Sequence, residues 1–130
     1  MPKERLVVIC PGRGSYTRES SGYLDSFKNI ANKEISWMNS QREALKLPIL
    51  TDLDSNSFKT KTHMIGINAS PLIYACSYVD FLSIDRSKYE IVAITGNSMG
   101  WYTTLALSGV LSFENAFKLI NTMSSLTKDD

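Results

Sequence analysis

"EIVAITGNSMGWYTTLALSG", residues 90–109, is the stretch on which the reading of the fold turns. Glu90 to Thr95 is a continuous apolar run rich in β-branched residues, the pattern of a strand buried on both faces in a parallel sheet. Gly96-Asn97-Ser98-Met99-Gly100 follows at once, and "WYTTLALS" after it suits a helix from about Met99 to about Leu107. Gly109 is placed to end that helix in a left-handed cap. A strand, a very tight turn carrying G-x-S-x-G and then a helix are the parts of a nucleophile elbow, which spans residues 96–100 here. The pentapeptide alone is weak, since a chain of this length meets it by chance about 4% of the time. Its flanks give it weight. The Met99 backbone N–H falls at the start of the helix, where free N–H groups and the helix dipole favour negative charge. An oxyanion formed by attack of Ser98 on an acyl carbonyl would be stabilised there.

Working outward, "LVVIC" (Leu6–Cys10) reads as a second buried strand, ended by the glycine-rich loop "PGRGSYTRESSG". Apolar residues at Tyr23, Leu24, Phe27, Ile30, Ala31, Ile35, Met38 and Leu45 predict one or two helices over 23–46, broken near Asn32. Residues 47–63, "LPILTDLDSNSFKTKTH", read as a surface connection with at most a short turn, Lys59 and Lys61 being a solvated part of it. Ser70-Pro71 predicts a helix start, with Leu72, Ile73, Cys76 and Val79 on its apolar face. Ser112 predicts a further N-cap, with Phe113, Ala116, Phe117 and Ile120 along one helical face. Strands interleaved with helices make an α/β architecture with a parallel sheet, in which ligands bind at the strand C-terminal ends.

Composition bounds the function classes. The 130 residues are 43% hydrophobic and 21% charged, with a formal net charge of +1. That balance is a globular domain's and carries no electrostatic footprint for nucleic acid or an anionic membrane. Residues 1–64 hold ten Lys/Arg against seven acids, residues 65–130 four against six, a bias most simply read as solvated surface. Cys10 and Cys76 stand in neither C-x-x-C nor metal-ligand spacing and read as buried small hydrophobes. No cluster has metal-ligand spacing, and "PGRGSY" fits neither a dinucleotide nor a Walker pattern. The opening "MPKERLVVIC" is too short an apolar run for a signal segment or membrane span, so a reducing, cytoplasmic setting is expected. Trp37 and Trp101 read as packing residues.

Three stretches together resemble one family. "GNSMGWYTTLALSGVLSFENAFKLI" is similar to the G-H-S-x-G-E-Y-x-A-L-x-x-A-G-V-L-S-x-E-D-A-L-x-L-V of the malonyl-CoA:acyl-carrier-protein transacylases and the acyltransferase domains of fatty-acid and polyketide synthases. "CPGRGSY" resembles their F-P-G-Q-G-S-Q, and "NASPLIYACSYVDFL" the helix that opens with A-Q-P-A-L. The three lie in the family's order over most of residues 6–122. The resemblance implies the hydrolase-like core of the large acyltransferase subdomain, with residues 1–130 as the N-terminal part of one α/β domain. It makes Ser98 the nucleophile, with the Met99 and Arg13 backbone N–H groups as oxyanion hole. Gly12, Gly14 and Asn97 are then expected around the substrate, the glycines allowing close backbone approach. No bound cofactor is expected. Acyl-coenzyme A enters as substrate, and the acyl group passes through acyl-Ser98 to the phosphopantetheine thiol of an acyl carrier protein.

The departures from the family matter as much. A serine hydroxyl needs a base, which the family supplies from a histidine far downstream of residue 130. His63 lies where the family places no base and is expected to be an ordinary, partly exposed histidine. A C-terminal remainder or second chain is therefore expected to bring the base, and the ferredoxin-like small subdomain has no counterpart here. The arginine that forks onto a malonyl carboxylate in the family matches Met123, which favours an uncharged acyl group. Asn97 and Trp101 stand where the family has His and Glu. Arg13 replaces a Gln, and its side chain either takes over from the lost arginine, meets a coenzyme A phosphate, or points to solvent. Two rival classes stay open: a serine hydrolase or acyl-editing enzyme on the same elbow, and a non-catalytic partner domain.

Overall fold

The first strand, β1 (Glu4–Cys10), pairs in parallel with β2 (Tyr89–Gly96), and everything between them is crossover. Parallel strands require such a crossover, and the regular structure in this one is all helical. The computed structural model describes residues 2–126. After the glycine-rich loop come two 3₁₀ turns (Arg18–Ser20 and Leu24–Phe27), then α1 (Lys28–Ala44), α2 (Leu50–Ser55), α3 (Thr60–His63) and α4 (Gly66–Leu82). Beyond β2 lie α5 (Gly100–Leu107) and α6 (Phe113–Leu126). The architecture is α/β with a parallel sheet, as the interleaved pattern predicted. Helix α1 kinks at Ala31 (φ −122°, ψ 27°), one residue from the expected break.

The core forms around α4, which is apolar on nearly every side and is buried accordingly. Leu72, Tyr74 and Val79 of α4 meet Ala116, Phe117 and Ile120 of α6 and Met38 of α1, all at most 1% exposed. The α6 cap is as expected: Ser112 Oγ accepts the Asn115 N–H at 3.0 Å. Gly109 takes its left-handed conformation, φ +84°.

Three expectations are corrected. The strands are not buried on both faces, for Val7 and Ile9 are 58% and 68% exposed, while Cys10 on the alternate face is 1% exposed. Among the described residues the helices cover only the face that carries Leu6, Val8 and Cys10, so the apolar run outlasts its cover. Residues 47–63 are not a surface connection. They form α2 and α3, and Leu50, Leu53, Asp54 and His63 are buried. The intervals between these buried residues are too short and too polar for a helical period to register.

Finally, α4 begins at Gly66, not at Ser70, and Pro71 sits inside it. Proline has no N–H, so the carbonyl four residues back, Ile67, loses its helical partner. Arg42 supplies one: its Nη1 donates to Ile67 O at 2.7 Å. Its other bonds go to Pro48 O (2.8 Å), Asn68 Oδ1 (2.6 Å) and Asn121 Oδ1 (3.1 Å), so α1, α4 and α6 share one fully buried guanidinium. Desolvation pushes its pKa down to about 10. Among the described residues no helix is long and apolar enough to cross a membrane.

Candidate active site

Strand β2 ends at Gly96 and α5 starts at Gly100, leaving Asn97, Ser98 and Met99 to reverse the chain. Ser98 holds φ +56°, a left-handed conformation that costs a residue with a Cβ about 1–2 kcal/mol. The turn is closed by Gly100 N–H to Asn97 O (2.9 Å) and Trp101 N–H to Ser98 O (3.1 Å). Strain held at an exposed serine by a hydrogen-bonded turn is the geometry of an elbow.

Its tightness depends on glycine. A Cβ on Gly96 would run into the Gly100 carbonyl group, and one on Gly100 would collide with the carbonyl of Cys10. The glycine-rich loop closes over the same point, since a Cβ on Gly12 would lie 2.8 Å from Asn97 O and 3.1 Å from Ser98 Cβ. The sheet therefore delivers the loop and the elbow to one place.

An open pocket of about 380 Å³ lies there. Ser98, Met99 and Arg13 all line it, so the expected nucleophile and both expected oxyanion donors are together. Met123 lines it as well. Gly12 packs beneath, against the elbow. Gly14 (φ +101°) and Asn97 are not among the lining residues; Asn97 serves the turn through its carbonyl.

The remaining wall was not anticipated: Tyr102, Ile120, Ser70 and Ser124. The first three carried a usable signal. Tyr102 is one helical turn beyond Ser98, Ile120 is one turn before Met123, and Ser70 precedes Pro71 in a motif already singled out.

His63 is elsewhere and is fully occupied. It is 2% exposed rather than partly exposed. Its Nε2–H donates to Leu53 O at 2.7 Å, and its Nδ1 accepts the Lys59 N–H at 3.0 Å. That tautomer follows from the partners, because a carbonyl can only accept. The ring stacks with Phe58 and Tyr16 at centroid distances of 5.0 and 6.3 Å. It has no lone pair to offer Ser98.

A second, smaller pocket of about 200 Å³ lies between the loop (Pro11, Ser15, Tyr16) and α4, with Cys76 in its wall. Burial pushes the Cys76 thiol well above its usual range, and both cysteines are free. Cys10 is buried, as expected of a small hydrophobe, while Cys76 is only partly buried, and both offer little thiolate. Among the described residues no group of three or more His, Cys, Asp or Glu could hold a metal ion.

The fold has counterparts among solved structures. No protein-family model matches the chain, and no curated protein does. Solved structures do. An acyl carrier protein S-malonyltransferase from Vibrio cholerae O1 biovar eltor is similar at a TM-score of 0.73 and 22% identity over 98% of this chain. MCAT from Mycobacterium tuberculosis gives 0.71 and 21% over 94%. The acyl-carrier-protein S-malonyltransferase of Burkholderia pseudomallei 1710b gives 0.67 and 21%, also over 94%.

The chain has the fold of one part of these malonyltransferases.

It spans 38%, 39% and 40% of the Burkholderia, Mycobacterium and Vibrio chains, well under half of each. Within that shared part the two strands and the loop after β1 put Ser98 at the C-terminal edge of the sheet, where open α/β sheets bind ligands.

Proposed function

We propose that Ser98 is the acyl-accepting nucleophile of an acyltransferase that moves an acyl group from coenzyme A to the phosphopantetheine thiol of an acyl carrier protein. The observation that carries this reading is the strained, exposed Ser98 sharing a pocket with Met99 and Arg13 in a malonyltransferase fold. Ser98 Oγ attacks the thioester carbonyl as a base takes its proton. The Met99 N–H and the Arg13 N–H receive the negative oxygen of the tetrahedral intermediate. The C–S bond then breaks, and coenzyme A leaves as a thiol on return of the proton. The carrier thiol reverses these steps on acyl-Ser98.

The base comes from outside the described residues, because His63, the chain's one histidine, has both ring nitrogens engaged. A further segment or a second chain with a histidine fits that need. Met123, in the pocket wall where the sequence resemblance puts a carboxylate-binding arginine, supports an uncharged acyl group such as acetyl over malonyl. Arg13 is the pocket's one cationic side chain among the described lining residues and is the group that a malonyl preference would have to use.

Intact-mass spectrometry of the protein with its completing chain, after addition of acetyl- or malonyl-coenzyme A, tests the reading. Acylation confined to Ser98, absent in Ser98→Ala and discharged onto carrier protein, is the expected result. An adduct lost at the same rate without carrier would instead favour hydrolysis, which the open pocket around Ser98 would permit. No adduct with any acyl-coenzyme A would leave the non-catalytic reading.

A further inference from the structure

The glycine-rich loop is held at its two ends by different parts of the molecule. Its near end belongs to the sheet: Cys10 O accepts the Asn97 N–H at 3.0 Å, and Gly12 packs on the elbow. Its far end leaves the sheet after Ser15, whose N–H closes a turn on Gly12 O at 3.3 Å. What secures that end is Asp54, in the segment whose sequence reads as a solvated connection.

Asp54 is 2% exposed, and no cation stands within salt-bridge distance of it among the described residues. A buried carboxylate without a counter-ion is costly unless hydrogen bonds satisfy it. Asp54 collects them from the loop. Its Oδ1 accepts the Tyr16 O–H at 2.6 Å, and its Oδ2 accepts the Leu24 N–H at 2.9 Å. Its backbone carbonyl accepts the Gly22 N–H at 2.8 Å. Tyr16 is itself 3% exposed and lies against Phe58 and His63, and His63 donates to Leu53 O beside Asp54. So α2 and α3 form a polar clasp that closes on Tyr16, Gly22 and Leu24. Residues 11–15 run between that clasp and the sheet, tied at both ends.

We infer that Asp54 is a positioning residue for the candidate active site: through Tyr16 it anchors the far end of the glycine-rich loop and so holds the Arg13 N–H beside Ser98. This rests on the oxyanion role proposed above for that N–H. A charge-assisted hydrogen bond to a buried carboxylate is among the stronger ones available to a neutral donor. A donor displaced by about 1 Å loses much of its hold on a developing oxyanion.

The test uses the intact protein with the chain that completes its site, as wild type, Tyr16→Phe, Asp54→Asn and the double variant. Tyr16→Phe removes one oxygen and keeps the ring stack, so it is the variant least disturbing to folding. In each, kcat for acyl transfer is expected to fall about 10- to 100-fold with KM little changed. The double variant should be no slower than Asp54→Asn, since both changes cut one link. Backbone amide exchange should accelerate at residues 12–15 and stay unchanged in β2 and α4. Unchanged kcat in Tyr16→Phe and Asp54→Asn overturns the inference, as does exchange that accelerates everywhere equally, the mark of lost stability alone. If wild type acylates nowhere, the acyltransferase reading fails by itself, and exchange at residues 12–15 still decides whether Asp54 anchors the loop.

Discussion

Gly100, the first residue of α5, lies against the carbonyl of Cys10, the last residue of β1, with no space between them for a side chain. The helix that follows Ser98 therefore starts in contact with the neighbouring strand, and the Asn97 N–H to Cys10 O bond (3.0 Å) fixes that contact.

Gly100→Ala should consequently cost about 1–3 kcal/mol or more, because the Cβ meets backbone that cannot step aside. Gly22→Ala is the control. Its φ of +84° brings strain, but nothing lies within 4 Å of the added carbon. Denaturant unfolding should rank Gly100→Ala as the worse of the two; the reverse order would mean the crossing is looser than described.

Ser98 pays for its position. Replacing it with glycine relieves the left-handed strain (φ +56°) and should raise stability by about 0.5–1 kcal/mol while removing the oxygen proposed to accept the acyl group. Thermal melts of Ser98→Gly beside Ser98→Ala separate conformational relief from simple loss of the hydroxyl. No gain in Ser98→Gly relative to Ser98→Ala would argue against a strained elbow.

Arg42→Met should destabilise by about 3 kcal/mol or more, since it takes the donor from four oxygens, two of them the buried amide oxygens of Asn68 and Asn121 and two the backbone carbonyls of Pro48 and Ile67. Pro71→Ala restores an N–H aimed at Ile67 O. On its own it should be neutral or mildly destabilising, whereas in the Arg42→Met background it should recover about 1 kcal/mol. A double-mutant cycle from urea melts reads this coupling directly, and strict additivity would show that Arg42 does not stand in for the missing helical bond.

Both thiols should resist alkylation in the folded state. Burial raises Cys10 and Cys76 above their ordinary pKa, so at pH 8.5, where a free thiol is about half ionised, the folded protein exposes little thiolate. Because the folded pKa is the higher, stability from these groups is present below the unfolded pKa and lost as pH rises towards the folded one. Mass spectrometry with iodoacetamide should show slow labelling in buffer and fast labelling in denaturant. Fast labelling of Cys76 in buffer would show that its thiol is not held in the neutral form by its surroundings.

The uncovered face of the sheet should make the 130-residue polypeptide self-associate. Val7 and Ile9 stand 58% and 68% exposed on a two-stranded sheet with open edges. Light scattering across a concentration series should detect dimers or larger species, and Val7→Lys with Ile9→Lys should reduce them. A monodisperse monomer at all concentrations would count against this.

The elbow, both strands, the α1 break, the α6 cap and the Gly109 stop were legible in sequence because each rests on local chemistry: backbone sterics at glycine, a capping hydroxyl, a short apolar run. The Ser98–Met99–Arg13 grouping was legible only through resemblance, since a loop 85 residues before Ser98 has no local reason to meet it. The start of α4 was misread for an instructive reason. Local rules put Pro71 at the first helical position, but a side chain from α1 satisfies the carbonyl that the proline abandons, and the helix runs on through it.

What this sequence determined by itself was the tight turn that carries Ser98, because strand, glycines and helix onset are all encoded within twenty residues. Tertiary structure alone decided which carboxylate is buried, where Arg42 spends its hydrogen bonds, that His63 is spoken for, and that one sheet face stays open. The Asp54 and Arg42 bonds depend on partners far apart in the chain, and a buried polar group is identified by what surrounds it, not by the residues that precede and follow it.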